Sequence, residues 1–267
     1  MFIILQLGAR LVYAQRRFCA AMVAITCITI IVAACATSQG IEATSTTTKP
    51  TNAPTKTSLP EEWPLRWLQG IPCRPPCWEG VTPGLTPVTK AVEIWRNNPL
   101  ISTTRIVTSG LPHDDENDVV WTWATEGSFQ GGQASFRNET SDQTITLITP
   151  YYPTDFKLGD VIHAFGEPSE IAATASHNPE KGFTYAIRLV YRSQGFVLSD
   201  GWTSKPSLNA ELSFSKVVFF APTDEGLATA LPGIADRTGW LVPWQGFKKF
   251  DYYCRDDGID RACQADP

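Results

Sequence analysis

The feature that most constrains the fold is a spacing of apolar residues that occurs twice, 70 residues apart. In each copy the apolar positions follow i, i+3, i+4 and i+7, which places them on one face of a helix. The first set is Val88, Ala91, Val92 and Trp95, and the second is Leu158, Val161, Ile162 and Phe165. Thr86 and Pro87 favour a helix start before the first set, and Gly166 favours a helix end after the second. The pattern therefore predicts two amphipathic helices.

Four strand-like segments follow each predicted helix. They are rich in β-branched and aromatic residues and are separated by Gly, Asp, Asn and Pro. The first four are residues 104–108, 119–125, 133–137 and 144–149, and the second four are 170–174, 184–192, 195–199 and 211–220. Within 184–192, Ala186, Arg188, Val190 and Arg192 alternate with Ile187, Leu189 and Tyr191, a pattern typical of a strand with one buried face. We predict an α+β fold of two tandem units, each a helix packed on an antiparallel β-sheet.

A second feature lies near the start of the chain. Arg16 and Arg17 precede an uncharged run that ends on Val32-Ala33-Ala34-Cys35. Small residues directly before a cysteine are typical of a bacterial lipobox, which is cleaved and acylated at that cysteine. The sequence therefore predicts a signal peptide over residues 1–34 and lipidation of Cys35, for example with palmitate. An uncleaved signal anchor is the alternative, because the run is near the lower length limit for a membrane span.

These predictions divide the chain into segments. Residues 35–60 are rich in Thr, Ser and Pro and poor in large apolar side chains, which indicates a flexible tether. We place the first helix-plus-sheet unit at 61–150, with a disulfide segment at its start, and the second at 151–223. An aromatic C-terminal cap follows at 224–267. The lipid would hold the protein at the cell membrane or outer envelope, facing outside the cytoplasm.

The charge of the chain limits its partners. Loss of residues 1–34 removes three arginines and no acid, which leaves 19 basic against 27 acidic residues and a formal charge of −8. Nucleic-acid binding needs clustered Lys and Arg, and the mature chain has no basic run. We therefore expect a membrane contact through the lipid and an envelope protein as partner, and no nucleic acid.

The cysteines of the mature chain predict two disulfides. Cys73, Cys77, Cys254 and Cys263 are an even number in an oxidising compartment. Of the three connectivities, we favour the local pairs Cys73–Cys77 and Cys254–Cys263. A zinc site is the rival interpretation, but the spacings lack a CxxC motif and an accompanying histidine.

Aromatic residues cluster at both ends of the folded region. Trp63, Trp67 and Trp78 surround the first cysteine pair, and we predict that they are buried against the core. The aromatic tail predicts an extra strand or a cap docked on the sheet, with a ligand groove as the alternative. The candidate binding surface in this tail is Trp240, Trp244, Phe247 and Tyr252.

Motifs for chemistry are scarce. The three histidines are His113, His163 and His177, and no hydrolase elbow, P-loop or HExxH motif is present. The acidic run 113–118 is typical of a solvated hairpin loop, and 256–260 is a slightly better cation candidate that is too short for an EF-hand. We therefore predict no catalytic residue, no cofactor and no metal site.

A family resemblance is carried by residues 157–168, which read Lys-Leu-Gly-Asp-Val-Ile-His-Ala-Phe-Gly-Glu-Pro. This segment is similar to a helix ending in Gly-x-Pro in the SmpA/OmlA-type outer-membrane lipoproteins. The doubled helix-plus-sheet unit also resembles the two-repeat layout of the β-lactamase inhibitory protein family. The resemblance implies a non-catalytic protein-binding or envelope-scaffold lipoprotein. The alternative is a cell-surface hydrolase or a carbohydrate-binding accessory protein that uses the aromatic tail.

Overall fold

One β-sheet organises the folded part of the chain. The structure, a computed structural model, describes residues 63–108, 116–124, 131–137, 143–178, 180, 182–255 and 263. The sheet order is β1-β2-β3-β4-β8-β7-β6-β5-β10, and β9 also pairs with β5. Neighbouring strands are antiparallel except β5 and β10, which are parallel. The strands are β1 Ile101–Thr108, β2 Glu116–Trp123, β3 Gly132–Arg137, β4 Ile145–Lys157, β5 Glu170–Asn178, β6 Gly182–Tyr191, β7 Phe196–Trp202, β8 Ser213–Phe220, β9 Val242–Pro243 and β10 Cys254–Arg255.

The helices are short. Their bounds are α1 Val88–Arg96, α2 Leu158–Phe165, α3 Asp224–Ala230 and α4 Phe250–Tyr253, with 3-10 helices at Trp63–Gln69 and Arg192–Gln194. The apolar set of α1 is buried in full, whereas in α2 Leu158 and Val161 are buried and the other two are half-buried. Thr223 caps α3 by accepting a hydrogen bond from the Gly226 N–H at 3.0 Å. The two helices predicted from the apolar spacing are confirmed.

The prediction of two tandem helix-plus-sheet units is wrong. Each of the eight predicted strand segments overlaps an observed strand, but the strands form one continuous sheet with few short helices. The two predicted sheets are joined because β4 pairs antiparallel with β8. This pairing places Leu147 opposite Phe220 and Ile148 opposite Phe219. In separate units these two strands would each leave an edge of unpaired backbone groups, and pairing them satisfies both edges. β4 also continues past residue 150, where we placed the unit boundary.

The inner face of the sheet is the face covered by α1, α2 and the 3-10 helix Trp63–Gln69. Tryptophans from these elements and from β2 pack together there. Trp121 lies 4.9 Å from Trp78 and 4.7 Å from Trp95 between ring centroids. Trp63, Trp67 and Trp78 are at most 8% exposed, which confirms their predicted burial.

The outer face of the sheet is covered over one end only by the described residues. There α3 and residues 231–241 pack on a second apolar cluster. Its strand members are Ala172, Val190, Val197 and Phe220, and its cover is Leu227, Leu231 and Ile234. The remaining outer-face positions carry mostly polar side chains, as described below.

Both predicted disulfides are present. Cys73 bonds to Cys77 and Cys254 bonds to Cys263, each pair with a Cα–Cα distance of 5.7 Å. The C-terminal tail adds β9 and β10 beside β5, and it packs Trp244, Phe250 and Tyr253 on the inner face. The predicted strand or cap at this end is therefore confirmed.

Several predicted features lie outside the described residues. These are Cys35 with the signal peptide, the tether, His113 with the start of the acidic run, and the 256–260 loop. Of the helices that the structure describes, none is long and apolar enough to cross a membrane.

Candidate functional site

Four polar side chains cross the uncovered part of the outer face in register. They lie on four adjacent strands, and we call them the outer row: Tyr151 on β4, Lys216 on β8, Ser199 on β7 and Arg188 on β6. Tyr151 pairs with Lys216, Lys216 with Ser199, and Ser199 with Arg188. Residues directly opposite each other in an antiparallel sheet point to the same face, so the row forms one polar strip.

Arg188 is the unusual member of the outer row. Its neighbours Ile187 and Leu189 are buried on the inner face, so the pleat directs Arg188 to the outer face. Its Nη1 atom is buried without a hydrogen-bond partner, and in the described chain the guanidinium makes no ion pair. Burial lowers the pKa of Arg188. The side chain therefore holds a partly desolvated positive charge with no counter-charge.

Two other arginines show how this fold usually pairs a half-buried guanidinium. Arg192 donates from Nε to Glu170 Oε2 at 2.9 Å and from Nη2 to Glu170 Oε1 at 3.1 Å. Arg66 donates from Nε and Nη2 to the two carboxylate oxygens of Glu79. Both pairs are bidentate, which is the strong form of this interaction. Arg188 lacks the carboxylate that Arg66 and Arg192 have.

Ser199 and Lys216 lie on the next two strands across the sheet from Arg188. The Lys216 side chain is exposed and the Ser199 side chain is half-buried. Within the residues that the structure describes, neither side chain has a hydrogen bond or ion pair. Ser199 lies between the two cations because its strand, β7, lies between β6 and β8.

A groove of about 540 Å³ extends the polar strip over β1 to β4. Its lining includes Thr103, Arg105, Val120, Thr122, Gln133 and Tyr151. Tyr151 donates to Gln133 Oε1 at 3.1 Å, and Thr122 shares hydrogen bonds of 2.7 Å with Ser102 and Thr103. Arg105 is exposed and makes no ion pair to a described residue. The groove therefore adds a third unpaired cation to the outer face.

Tyr151 acts as a hydrogen-bond donor at neutral pH. Burial, and to a smaller extent the nearby Asp118 carboxylate, raises the pKa of Tyr151. Asp118 itself accepts a hydrogen bond of 2.8 Å from the Ser135 hydroxyl. The phenol therefore stays protonated and contributes no negative charge to the row.

Close backbone packing shapes the floor of the groove. A Cβ atom at Gly132 would lie 2.4 Å from Trp121 Cζ2 and 2.6 Å from the Thr149 carbonyl oxygen. Only glycine fits between the Trp121 indole and β4 at this point. The groove is therefore continuous with the rigid tryptophan cluster beneath it.

Another cavity, of about 300 Å³, lies beside α3 and is lined in part by threonines. Thr146 donates to the Ser135 carbonyl, Thr229 donates to the Glu225 carbonyl, and Thr223 caps α3. These hydroxyls are already engaged in holding the local backbone. Arg137 and Glu225 also line this cavity.

The predicted aromatic surface is divided between the two faces. Trp244 is buried on the inner face, where its ring stacks on Tyr253 at 5.6 Å and contacts Phe247 at 5.8 Å. Phe247 and Tyr252 are about half exposed, at 50% and 55%. Trp240 belongs to the outer apolar cluster, with Arg237 stacked over its ring at 4.4 Å. The structure thus brings Trp244, Phe247 and Tyr252 near one another through Tyr253, and it places Trp240 apart.

The two described histidines lie on consecutive elements of the chain, α2 and β5. His163 is exposed on α2, and His177 is exposed on β5 beside the Phe183 ring at 4.7 Å. Among the residues with described positions, no group of three or more His, Cys, Asp or Glu side chains could hold a metal ion.

Sequence reasoning missed the outer row. One signal was present, because Arg188 interrupts the apolar stretch of β6 and alternates with Ile187 and Leu189. The pattern showed that Arg188 points away from the core. It did not show that Lys216 and Ser199 lie beside Arg188, since this depends on the pairing of distant strands.

Comparison of the chain with protein-family models, characterised proteins and solved structures finds no match. The fold therefore stands by itself: one face of the sheet is packed, and the other is partly open and polar.

Proposed function

We propose that this protein is an exported lipoprotein that binds an acidic segment of a partner protein on the outer face of its sheet. Acylation of Cys35 would hold it at the membrane, and binding would involve no chemical reaction. The observation that carries the proposal is that three cations on this face, Arg105, Lys216 and Arg188, make no ion pair to a described residue.

The difference between the charge of the whole chain and the charge of the outer face supports an acidic partner. The chain as a whole has a formal charge of −5, yet these three outer-face cations make no ion pair to a described residue, and the nearby acid Asp118 is hydrogen-bonded to Ser135. Complementary charges guide association and suppress wrong partners. Three separated cations match a few carboxylates on a peptide segment better than the dense charge of a nucleic acid.

The dimensions of the site also fit a peptide segment. The outer row spans four strands, which lie about 4.8 Å apart, so it is roughly 15 Å long. Arg105 on β1 lies three strands beyond Tyr151, so the three cations span six strand spacings, roughly 29 Å, which an extended peptide of about nine residues covers. Polar and aromatic side chains such as Tyr151, Thr122 and Gln133 are suited to such a contact, because interfaces of this type are partly polar.

The anchor is tested by labelling. Cys35→Ser is expected to abolish incorporation of alkyne-palmitate into the protein, because the acylated thiol is gone. Cys27→Ser is the matched control, since it changes a cysteine of the apolar run and should keep full labelling. The readout is fluorescence of the purified protein after click coupling. Label retained in Cys35→Ser, or a mature N-terminus at Met1 by mass spectrometry, would contradict the anchor.

The binding face is tested by photo-crosslinking on intact cells. We expect Arg105→p-benzoylphenylalanine, on the outer face, to give one protein adduct whose sequenced crosslinked peptide is rich in Asp and Glu. Arg96→p-benzoylphenylalanine is the control, because Arg96 is an equally charged, exposed residue at the end of α1 on the opposite side. Equal adducts at both positions, or attachment to a basic peptide, would overturn the proposal.

A further inference from the structure

We propose that Arg188, Ser199 and Lys216 form a carboxylate subsite that receives one Asp or Glu side chain of the bound segment. This inference rests on the proposed function and names the group recognised within it. The three residues lie on adjacent strands β6, β7 and β8, in direct cross-strand register. Their side chains share the outer face, with the hydroxyl of Ser199 between two cations.

The state of Arg188 indicates a missing ligand group. A buried N–H without an acceptor costs free energy, and a charged group costs more than a neutral one. Nη1 of Arg188 is such a donor, and no described residue supplies an acceptor or a negative charge. Other buried donors without partners in this chain are neutral, such as the Trp95 and Trp121 indole N–H groups. Arg188 is the charged case, and it lies next to an uncovered polar strip.

The geometry of the donors favours a carboxylate. The guanidinium is a planar fork that matches the two oxygens of a carboxylate, as the Arg192–Glu170 and Arg66–Glu79 pairs show in this chain. Lys216 supplies a second positive charge from the far side of Ser199, and the Ser199 hydroxyl can donate to the same group. Nη1 itself is enclosed by the protein, so a carboxylate would approach through the half-buried remainder of the Arg188 side chain and would interact strongly there, because the charge is already partly desolvated.

The test uses full-length protein extracted in mild detergent and a fluorescein-labelled hexaglutamate peptide, with binding measured by anisotropy. Arg188→Gln is expected to weaken binding by about tenfold or more, because it removes the charged fork. Arg188→Lys should weaken it less, since it keeps the charge and loses the bidentate geometry. Ser199→Ala and Lys216→Gln should each weaken it by a few fold. Arg96→Gln is the charge-matched control and should change affinity by less than about twofold.

Folding of the variants is checked by thermal melting without peptide. Arg188→Gln should melt at or above the wild-type temperature, because it removes an unpaired buried charge. The subsite is overturned if the wild-type protein does not bind the peptide or if Arg188→Gln binds it as the wild type does.

These outcomes separate the subsite from the proposed function. If the Arg105 crosslink captures an acidic segment while Arg188→Gln leaves its yield unchanged, the outer face binds the partner and the subsite is wrong. If the crosslinker at residue 105 captures no acidic segment, the proposed function fails whatever the peptide data show.

Discussion

Glu79→Ala is expected to lower the free energy of unfolding by about 3 to 5 kcal/mol, because it breaks a buried ion pair and leaves Arg66 without its partner. Glu79 is 5% exposed and accepts hydrogen bonds from Arg66 Nε and Nη2 and from Asn98 Nδ2, the last at 2.7 Å. These contacts join the 3-10 helix, the turn after Trp78 and Asn98, the second residue after α1. The measurement is denaturant unfolding followed by tryptophan fluorescence.

Glu93→Ala is the matched control for this prediction. Glu93 pairs with Lys90 at 3.0 Å on the surface of α1, where the two side chains are 61% and 56% exposed. An exposed pair of this kind contributes less than about 1 kcal/mol, since water and salt screen it. A loss at Glu79 no larger than the loss at Glu93 would show that the Glu79 network does not hold the inner-face elements together.

The elements of the fold could be predicted because their signals are local. The stripe of α1 and the alternation of Ile187, Leu189 and Tyr191 in β6 each lie within ten residues of chain. Such periodicities identify which face of a helix or strand is buried. Periodicity indicated both main helices, residue composition and turn residues indicated every strand from β1 to β8, and the number and spacing of the cysteines indicated the two disulfides.

The arrangement of the sheet could not be predicted in the same way. The doubled pattern of helix and strands suggested two units. The strand with which the last strand of each half pairs, however, is distant in the sequence. Leu147 and Phe220 are 73 residues apart and meet only because β4 pairs with β8. Local periodicity contains no information about such a pairing. The pairing is favoured because it satisfies the backbone N–H and C=O groups at the edges of both strands.

The sequence pointed to the aromatic tail rather than to the outer row for a related reason. The aromatic tail drew attention because tryptophans are common in binding surfaces, yet Trp244 is 8% exposed and packs on Tyr253. Arg188 is an ordinary residue of an alternating strand until its neighbours are known. Only the pairing of β6, β7 and β8 shows that Ser199, and not an acid, lies opposite Arg188 on β7. The same pairing places a second positive charge, Lys216, on the next strand.

Trp95→Ala is expected to destabilise the protein by about 3 to 5 kcal/mol through loss of packing alone. Trp95 is 0% exposed on α1 and lies 4.7 Å from the Trp121 ring and 5.8 Å from the Trp78 ring. Alanine is the best helix former, so the substitution cannot weaken α1 through helix propensity.

Two further variants test whether the stability lost in Trp95→Ala comes from buried packing, and not from a hydrogen bond or from the loss of any aromatic ring. Trp95→Phe should cost less than half as much as Trp95→Ala, because it keeps an aromatic ring and removes the buried indole N–H, which has no partner. Phe247→Ala, at a ring that is 50% exposed, should cost less than about 1 kcal/mol. The measurement is urea unfolding at constant m-value. If Trp95→Ala cost no more than Phe247→Ala, the tryptophan cluster would not be the support of β2, and the outer groove above Trp121 would lack the rigid floor that the proposed binding role requires.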